Sequence, residues 1–376
     1  MSNLVLYRKY RPKNFSDVVD QEHVVRTLTN ALKLGKVAHA YLFTGPRGTG
    51  KTTIARLLAK AVNCERTEVE SGSQKGVLLP NYEPCNQCPS CLEINQGKSL
   101  DLIEIDAASN RGIDEIRELR DGIKFSPNKL KYKVFIIDEV HQLTKEAFNA
   151  LLKTLEEPPA HAIFILATTE IHKVPPTIIS RCQKFDFRKV PLDKIVGRLN
   201  WIAGQEKVKI AKEALELIAL NGDGSIRDSE SLLGQVMSME DKNITLKEVQ
   251  DILGTIDISA VGKLIDFLAD KKSGEAIAHI NQIANEGYDL VQYAKSLVNY
   301  LRKMLVIKVD LNLAKLAAVE LTKEQTDGII RQGEKFSQED LIKTIHLFIE
   351  AGNEVKRADF PQLPLELAIV ECCQAN

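Results

Sequence analysis

The sequence lacks several features that would place the protein in a special class. It contains no run of about 18 apolar residues, and its start lacks the charged-then-apolar layout of a signal peptide. Fifty lysines and arginines face 51 aspartates and glutamates, for a formal net charge of −1. Nothing therefore marks a generally basic nucleic-acid protein, and any contact with DNA must be local. We find neither internal repeats nor a low-complexity tail, and we expect a cytoplasmic protein with no membrane partner.

What the sequence does contain is ordinary for a globular protein. Hydrophobic residues make up 44% of the chain and charged residues 27%, which are normal proportions for folded domains. The 376 residues are enough for about two or three domains with substantial cores.

One segment fits the phosphate loop G-x-x-x-x-G-K-[ST]. The residues before it, 40–43, read as a short buried strand, and residues 53–60 after it have the apolar spacing of a helix. Glycines let backbone N–H groups turn toward phosphates, and a helix N-terminus adds favourable partial charge. This context disfavours the alternative, a glycine-rich turn before a helix, and predicts a nucleoside triphosphate site. The loop consists of Gly45, Pro46, Arg47, Gly48, Thr49, Gly50, Lys51 and Thr52.

The phosphate loop assigns distinct roles to its last two residues. Lys51 would reach the β- and γ-phosphates of the nucleotide, which we take to be ATP, and the Thr52 hydroxyl would hold Mg²⁺. Lys51 is therefore a candidate catalytic residue as well as a binding residue.

Three further segments predict strands of the same sheet, at residues 101–105, 133–137 and 162–167. The second is a nearly continuous apolar run, as expected for a strand buried on both faces, and it is followed by Asp138 and Glu139. Ligands bind at the carboxyl edge of open parallel sheets. Asp138 would therefore orient Mg²⁺ through water, and Glu139 would polarise the attacking water. The alternative is an acidic strand end that faces solvent.

Four of the seven cysteines form a pattern typical of a metal site. Thiolates two residues apart can point at one ion, and a fourth from a distant position completes a tetrahedron. We predict a structural Zn²⁺ site that contributes about 10 kcal/mol at neutral pH and staples the base of a surface loop at residues 65–84. A redox pair or free thiols are the alternatives. The four cysteines are Cys64, Cys85, Cys88 and Cys91.

Several further motifs occur together. The set resembles the gamma/tau subunits of bacterial DNA polymerase III, clamp-loader ATPases of the AAA+ superfamily, and the four cysteines after the phosphate-loop helix match the same family. The resemblance covers essentially the whole chain, and it is most specific in the first 190 residues or so. The motifs are Tyr-Arg-Lys-Tyr-Arg-Pro at 7–12, Gln-Glu-His at 21–23, Asp-Ala-Ala-Ser at 106–109, Leu-Leu-Lys-Thr-Leu-Glu-Glu-Pro-Pro at 151–159, Ala-Thr-Thr at 167–169 and Ser-Arg-Cys at 180–182.

The resemblance implies an α/β fold with three domains. A P-loop AAA+ ATPase domain with a parallel sheet and the inserted zinc module (about 64–91) would span residues 1–190. A small helical lid would follow at 191–241. An all-α collar that holds subunits together would occupy residues 242–376, where the sequence predicts only amphipathic helices.

The resemblance also implies roles for four residues outside the phosphate loop. Arg181 would be the arginine finger, acting in trans on ATP held by a neighbouring subunit. Arg227 would be the second sensor, touching the γ-phosphate from the lid. Tyr7 and Arg11 resemble residues that border the adenine, although an N-terminal arm that merely packs on the sheet is the alternative.

Two threonines follow the predicted strand at 162–167. A hydroxyl at this position can hydrogen-bond the γ-phosphate and the lytic water. By the resemblance, Thr169 is the first sensor, and Thr168 is the competing assignment.

The predicted DNA contact rests on a segment of mixed charge. In related clamp loaders, helix N-termini at this place follow the duplex backbone, so Arg111 and Arg117 would contact phosphates and position the duplex without reading its sequence. Asp114, Glu115 and Glu118 lie in the same turns, which equally suits an ordinary solvated helix.

The chain departs from the family pattern at a few positions. Asp20 replaces a usual glycine, Ser229 and Glu230 replace a usual alanine and leucine, and Gly234 replaces a usual aspartate. The last three affect how the lid helix packs and leave Arg227 in place.

The resemblance implies that the protein hydrolyses ATP, with Mg²⁺ and structural Zn²⁺, to load a sliding clamp onto primed DNA. Its partners would be the delta and delta-prime subunits, further copies of itself in a five-subunit assembly, the clamp, and DNA through backbone phosphates. A stator-like nucleotide-binding subunit and another AAA+ DNA machine, such as a branch-migration motor, are the alternatives. We expect no polymerase site, since only one Mg²⁺-type carboxylate pair is present. The chain ends where a gamma-like form would end, which leaves a tau-type extension open.

Overall fold

The computed structural model describes residues 5–65, 82–110, 122–123, 125–239, 243–253, 258–310 and 323–374. The chain divides into two compact units, Met1–Thr245 and Leu246–Asn376, and each is described by itself. Across the described ranges, no helix is both long and apolar enough to cross a membrane.

The first unit is built on a five-stranded sheet with the order β2-β3-β4-β1-β5. All of its strand pairs are parallel, as expected for a sheet whose strands alternate with helices along the chain. The predicted parallel α/β sheet is thereby confirmed. The strands are β1 (Ala40–Thr44), β2 (Leu102–Asp106), β3 (Lys133–Asp138), β4 (Ala162–Thr168) and β5 (Gln183–Asp186).

The strand β5 is missing from the sequence-based prediction. Its four residues, Gln-Lys-Phe-Asp, include one apolar side chain, and only Phe185 is buried. β5 lies at the edge of the sheet and pairs with β1 alone. An edge strand buries little side-chain surface, so its sequence carries too few apolar residues to indicate a strand.

Helices cover both faces of this sheet. In its described part, the unit is completed by three short 3₁₀ turns, a helical subdomain that follows β5 and a two-residue parallel pair, β6 (Lys209–Ile210) with β7 (Asn243–Ile244). The helices are α1 (Leu6–Lys9), α2 (Glu22–Lys33), α3 (Lys51–Val62), α4 (Pro89–Asn95), α5 (Lys145–Glu156), α6 (Pro176–Ile179), α7 (Leu192–Glu206), α8 (Lys212–Asn221) and α9 (Ile226–Met239), and the 3₁₀ turns are Phe15–Asp17, Val140–Gln142 and Ile171–Lys173.

Side chains of β1 alternate between two apolar cores. Tyr41 and Phe43 pack with α2 and α3 on one face, while Leu42 packs with α5 on the other. All three side chains are at most 1% exposed, so each contributes on the order of 2 kcal/mol by burial. The double-sided core explains why β1 is apolar throughout and gives the unit three layers.

The second unit consists of helices in its described part. Its core forms around the 20-residue helix α13, which buries Tyr293, Leu297 and Leu301 at four-residue spacing. The prediction of amphipathic helices after residue 242 holds except at Asn243–Ile244, which pairs as β7. The helices are α10 (Leu246–Leu253), α11 (Ile258–Ala269), α12 (Ser273–Asn285), α13 (Leu290–Val309), α14 (Lys323–Glu334), α15 (Gln338–Glu354) and α16 (Leu363–Gln374).

A buried aspartate fixes the entrance to the central strands. Asp101, 3% exposed, precedes β2 and accepts hydrogen bonds from three consecutive backbone N–H groups of the loop before β3. The N–H of Asn128 lies 2.7 Å from Oδ1, and those of Lys129 and Leu130 lie 2.8 and 3.0 Å from Oδ2. Burial by itself raises the pKa of Asp101, but these bonds outweigh it and lower the pKa overall.

We expect Asp101→Ala to lower the free energy of unfolding by about 2–4 kcal/mol, because it removes a charged acceptor from three backbone donors. Since the folded pKa lies below the usual value, the contribution of Asp101 is present above the unfolded pKa of about 3.9. It is lost as pH falls through the folded pKa. Urea unfolding at pH 7 and at pH 3 measures both effects. Asp193→Ala, at an exposed aspartate, is the control, and an equal loss in the two variants would contradict the assignment.

Candidate functional site

The phosphate loop joins β1 to α3 through left-handed backbone at its glycines. Gly48 has φ +73°, and Gly50, the residue that caps α3, has φ +103°; both values are unfavourable for other residues. At Gly48 the lid also approaches closely, since an added Cβ would lie 1.8 Å from Ser225 Oγ. Backbone N–H groups at the start of α3 are thus available to an anion, as the motif requires.

Lys51 is a buried cation at the first position of α3. Its side chain is turned into the loop, where Nζ donates to the carbonyl oxygens of Gly45 and Pro46, at 2.8 Å each. Burial lowers the pKa of Lys51, and the nearby carboxylates of Glu139 and Asp138 only partly offset that effect. An anion that enters the loop would therefore meet a cation with no direct carboxylate partner among the described residues.

The oxygen-bearing side chains predicted from separate parts of the chain lie together. The Thr52 hydroxyl donates to Asp138 Oδ2 at 2.7 Å, and the Thr169 hydroxyl donates to Glu139 Oε2 at 3.0 Å. Glu139 has left-handed backbone, with φ +48°. Hydroxyl and carboxylate oxygens are the ligands that Mg²⁺ prefers, so Thr52 and Asp138 suit that ion.

The neighbouring threonine is occupied elsewhere. Thr168 is fully buried, lies 2.9 Å from His141 Nδ1 and accepts from the N–H of Glu170 at 3.0 Å. His141 also lies 3.4 Å from Glu139 Oε2. Of the two candidate sensors, Thr169 is therefore the one that contacts Glu139 directly. His141 was not predicted from the sequence, in which the only indication of its role is its position two residues after Glu139.

The lid reaches the phosphate loop through the start of α9. The Arg227 guanidinium lies 4.9 Å from the centre of the Tyr7 ring, and the Arg227 N–H approaches the Gly48 carbonyl at 3.5 Å. The hydrogen bond to Arg227, followed by that to Arg8, lowers the pKa of Tyr7. Sheet domain, lid and N-terminal arm (residues 5–19) thus meet at one point.

These elements enclose a cleft of about 940 Å³, open solvent at its mouth included. It brings together most of the residues predicted to bind nucleotide. Those lining it are Tyr7, Arg11, Arg47, Gly48, Thr49, Gly50, Lys51, Thr52, Asp138, Glu139 and Arg227.

The lining of the cleft is partly apolar. The arm contributes Pro12, Val18 and Val19, and the lid contributes Ile226. Apolar walls of this kind suit the faces of a nucleobase. Arg11 also lines the cleft, and burial lowers its pKa.

The wall of the cleft contains a buried ion pair that was not predicted from the sequence. Arg198 Nε on α7 donates to Glu230 Oε1 on α9 at 2.9 Å, with side chains 10% and 5% exposed. Burial raises the pKa of Glu230, against the opposing effect of Arg198. Arg198 also donates to the Tyr10 carbonyl and lies 4.9 Å from the Trp201 ring. In the sequence, Glu230 stands out only as a departure from the family pattern.

Arg181 lies outside the cleft. Its Nη2 pairs with Glu156 Oε1 of α5 at 2.6 Å, and Nη1 donates to the Thr177 carbonyl at 2.8 Å. About a third of its side chain is exposed. This ion pair connects the Ser-Arg-Cys motif with the Leu-Glu-Glu-Pro-Pro motif. Arg181 and Glu156 are 25 residues apart in the sequence. The other predicted cationic pair, Arg111 and Arg117, falls outside the described residues.

The four predicted cysteines converge. Their sulfur atoms lie within 4.8 Å of one another, and a tetrahedral Zn²⁺ with four thiolates has S···S distances of about 3.8 Å. The N–H of Cys88 approaches Cys85 Sγ at 3.3 Å, and the N–H of Cys91 approaches Cys88 Sγ at 3.5 Å. Cys64, Cys88 and Cys91 are buried. Four sulfur donors with no open position fit a structural Zn²⁺.

Three family models match consecutive parts of the chain. The model described as DNA polymerase III, delta subunit, matches residues 20–191. The model of the clamp loader subunit ATPase lid domain matches residues 194–241, and that of gamma and tau domain III matches residues 244–376.

Curated relatives agree with these matches. The gamma subunit of DNA polymerase III from Buchnera aphidicola (Acyrthosiphon pisum) is 36% identical, and the match covers 100% of both chains. This chain belongs to the DNA polymerase III gamma/tau family. The tau subunit of Bacillus subtilis is 44% identical over 100% of this chain, and that of Escherichia coli is 41% identical over 82%.

This chain spans only part of the length of the longer relatives. It covers 64% of the B. subtilis tau subunit and 46% of the E. coli one. Among solved structures, the RuvB branch-migration motor of Thermotoga maritima aligns with 74% of this chain and 86% of its own, at TM-score 0.47 and 18% identity. A likeness this weak supports no functional conclusion.

The buried pair of Arg198 and Glu230 generates a prediction about the lid. Arg198→Ala leaves a buried carboxylate unpaired, so we expect a loss of about 3–5 kcal/mol in unfolding free energy. The double variant Arg198→Met/Glu230→Leu removes both charges and should lose far less. Urea unfolding followed by fluorescence of Trp201, the single tryptophan, reports on this region.

A matched exposed pair serves as the control for that experiment. Lys212 and Glu216 form an ion pair with side chains 79% and 42% exposed, and Lys212→Ala should change the unfolding free energy by less than about 0.5 kcal/mol. If the double variant were as unstable as Arg198→Ala, the pair would not be the reason for the loss.

Proposed function

We propose that this protein is an ATP-hydrolysing subunit of the DNA polymerase III clamp loader and drives loading of the sliding clamp onto primed DNA. One observation carries the proposal. In a chain of the gamma/tau family, a single cleft contains Lys51, the Thr52–Asp138 pair, Glu139 and the lid residue Arg227. A subunit that only held nucleotide would not need both the phosphate loop and the carboxylate pair.

The chemistry of the cleft suits transfer of a phosphoryl group to water. Lys51 is buried and aimed into the loop, so it would exchange its carbonyl partners for the β- and γ-phosphates. Thr52 and Asp138 would hold Mg²⁺, which neutralises charge on the phosphates. Glu139 would accept a proton from the attacking water, and its hydrogen bond from Thr169 keeps the carboxylate oriented.

The position of Arg227 links nucleotide binding to the lid. Its guanidinium lies 4.9 Å from the centre of the Tyr7 ring, and its backbone N–H approaches the Gly48 carbonyl of the phosphate loop. The side chain would contact the γ-phosphate of a bound nucleotide. Contact with that phosphate would pull α9 toward the sheet, and loss of the phosphate would release it. The lid could therefore report on hydrolysis.

Arg181 is proposed to complete the site of a neighbouring subunit. It is partly exposed, lies outside its own cleft and is oriented by Glu156. Guanidinium groups supplied in trans raise phosphoryl-transfer rates by about 10³- to 10⁵-fold. This arrangement requires an assembly, which we propose contains further copies of the chain with delta and delta-prime subunits.

The three matched segments correspond to the proposed division of labour. Residues 1–190 would bind nucleotide, 191–241 would form the lid, and 242–376 would hold the subunits together as a collar. The sliding clamp and the backbone phosphates of primed DNA would be the remaining partners. The Cys₄ cluster is proposed to hold one structural Zn²⁺.

We expect ATP turnover by the chain with its partner subunits to rise strongly when both sliding clamp and primed DNA are added. Arg181→Ala should abolish most of that stimulation, by about 10³-fold or more in turnover, while nucleotide binding to the isolated chain stays unchanged. Lys51→Ala should weaken ATP binding and abolish hydrolysis. Release of phosphate, measured with and without clamp and primer, separates the two variants.

The control for that experiment is Lys173→Ala, at an exposed cation that precedes Arg181 in the sequence and pairs with Glu170. It should retain stimulated turnover. Turnover that is indifferent to clamp and primer would point to another AAA+ activity, and unchanged turnover in Lys51→Ala would remove the phosphate loop from the mechanism.

The cysteine site makes a separate prediction. Purified protein should contain about one zinc per chain, and Cys88→Ser should lose it because three thiolates no longer close the coordination sphere. Metal analysis of the two proteins tests this, with Cys373→Ser, outside the cluster, as the control. Freshly purified protein without zinc would contradict the assignment.

A further inference from the structure

The middle of the N-terminal arm is attached to the cysteine module (residues 82–95) by a single carboxylate. Glu83 Oε2 accepts from the N–H of Phe15 at 2.6 Å, and Oε1 accepts from the N–H of Ser16 at 2.8 Å. Both donors lie in the 3₁₀ turn Phe15–Asp17, whose first N–H groups have no partner inside the turn. Glu83, two residues before Cys85, therefore fixes the turn to the metal module.

A second contact joins the arm, the module and α3. Lys60 is 2% exposed, and its Nζ donates to the Lys13 carbonyl and Asn86 Oδ1 at 2.8 Å each and to Asn95 Oδ1 at 2.9 Å. The Asn86 amide nitrogen also donates a hydrogen bond to the Lys13 carbonyl oxygen, at 3.2 Å. A buried ammonium requires such partners, so these groups hold one another in place.

The attached part of the arm lies between two stretches that line the nucleotide cleft. Arg11 and Pro12 precede it, and Val18 and Val19 follow it. Movement of residues 13–16 would therefore displace the cleft wall on both sides. Phe15, buried in the core against α3, limits that movement, so a partial change in affinity is expected rather than its complete loss.

Among the described residues, the cysteine module is also held by hydrogen bonds from Ser90 to Glu65 and by the ion pair of Glu93 with Lys129, but its buried centre is small. The buried cluster at this site consists of Cys64, Cys88 and Cys91, with Cys85 packed against it. A cluster of this size buries too little apolar surface to be stable without a metal. The positions of Glu83 and Asn86 therefore depend on what binds the four sulfurs.

We propose that metal bound at the Cys₄ site positions the N-terminal arm through Glu83, Lys60 and Asn86, and thereby sets the nucleotide affinity of the cleft. The proposal rests on the nucleotide and zinc sites of the proposed function. By linkage, nucleotide must raise the affinity for the metal by the same factor. The arm residues on either side of the attached turn include Pro12, Val18 and Val19, whose apolar side chains suit a nucleobase. The effect therefore applies to ATP and ADP alike.

Glu83→Ala tests the proposal in the full chain with the metal retained. We expect zinc content to stay at wild-type level while the dissociation constants for ATP and ADP, measured by competition with a fluorescent ATP analogue, both rise about 5- to 50-fold, a typical coupling. Glu83→Gln, which retains one acceptor oxygen, should fall between. Glu93→Ala is the matched control, since Glu93 lies on α4 of the same module and pairs with Lys129, away from the arm.

The reciprocal measurement uses wild-type protein. Removal of zinc by a chelator should weaken nucleotide binding by a similar factor, and added Zn²⁺ should restore it. Saturating ADP should raise zinc affinity, measured by equilibrium competition with a chromophoric chelator, and Glu83→Ala should reduce that gain. A merely structural role would not produce this reciprocal effect.

The outcomes separate this proposal from the proposed function. Wild-type nucleotide affinity in zinc-replete Glu83→Ala would overturn the coupling and leave the nucleotide site intact, even if the zinc-free protein unfolds. Loss of affinity for ATP but not ADP would also overturn it, since that pattern indicates damage at the γ-phosphate. Wild-type protein that binds no nucleotide would overturn the proposed function itself, and the coupling with it.

Discussion

The parallel pairing of β3, β4 and β1 is the constraint on which the nucleotide site depends. Thr44 is paired with Thr168, and Ile137 with Leu166, so the three strands end at one edge of the sheet. The phosphate loop, the carboxylates of Asp138 and Glu139, and Thr169 all follow directly from those ends. Residues more than 80 positions apart, as Thr52 and Asp138 are, reach hydrogen-bond distance for this reason.

Elements outside the sheet convert that edge into a cleft. The lid closes one side through Arg227 and the buried Arg198–Glu230 pair, and the N-terminal arm closes another. Charged hydrogen bonds help to fix the positions of both. Contacts of this kind are specific in geometry and can rearrange, which suits parts that must respond to a ligand. The attachment of the arm to the cysteine module extends the same principle to the metal site.

Much of the fold and of the site could be predicted from the sequence. The phosphate loop, the apolar strands β1, β3 and β4, and the Cys₄ set are local patterns, each imposed by one physical requirement on neighbouring residues. The strand β5 could not be predicted in this way, because an edge strand with one buried residue has no distinct pattern. Arg181 and Arg227 became candidates through the family resemblance, since a single arginine carries no pattern.

The sequence by itself determined that the chain has a phosphate loop, an acidic strand end and four cysteines with the spacing of a metal site, because these depend on residue type and spacing. Only the tertiary structure decided which side chains support them. Three polar contacts between distant segments illustrate this. They are the contact of His141 with Thr168, the ion pair of Glu230 with Arg198, and the hydrogen bond that Glu83 accepts from Phe15 of the arm. Such contacts form only when the fold brings the distant segments together, so no local pattern in the chain indicates them.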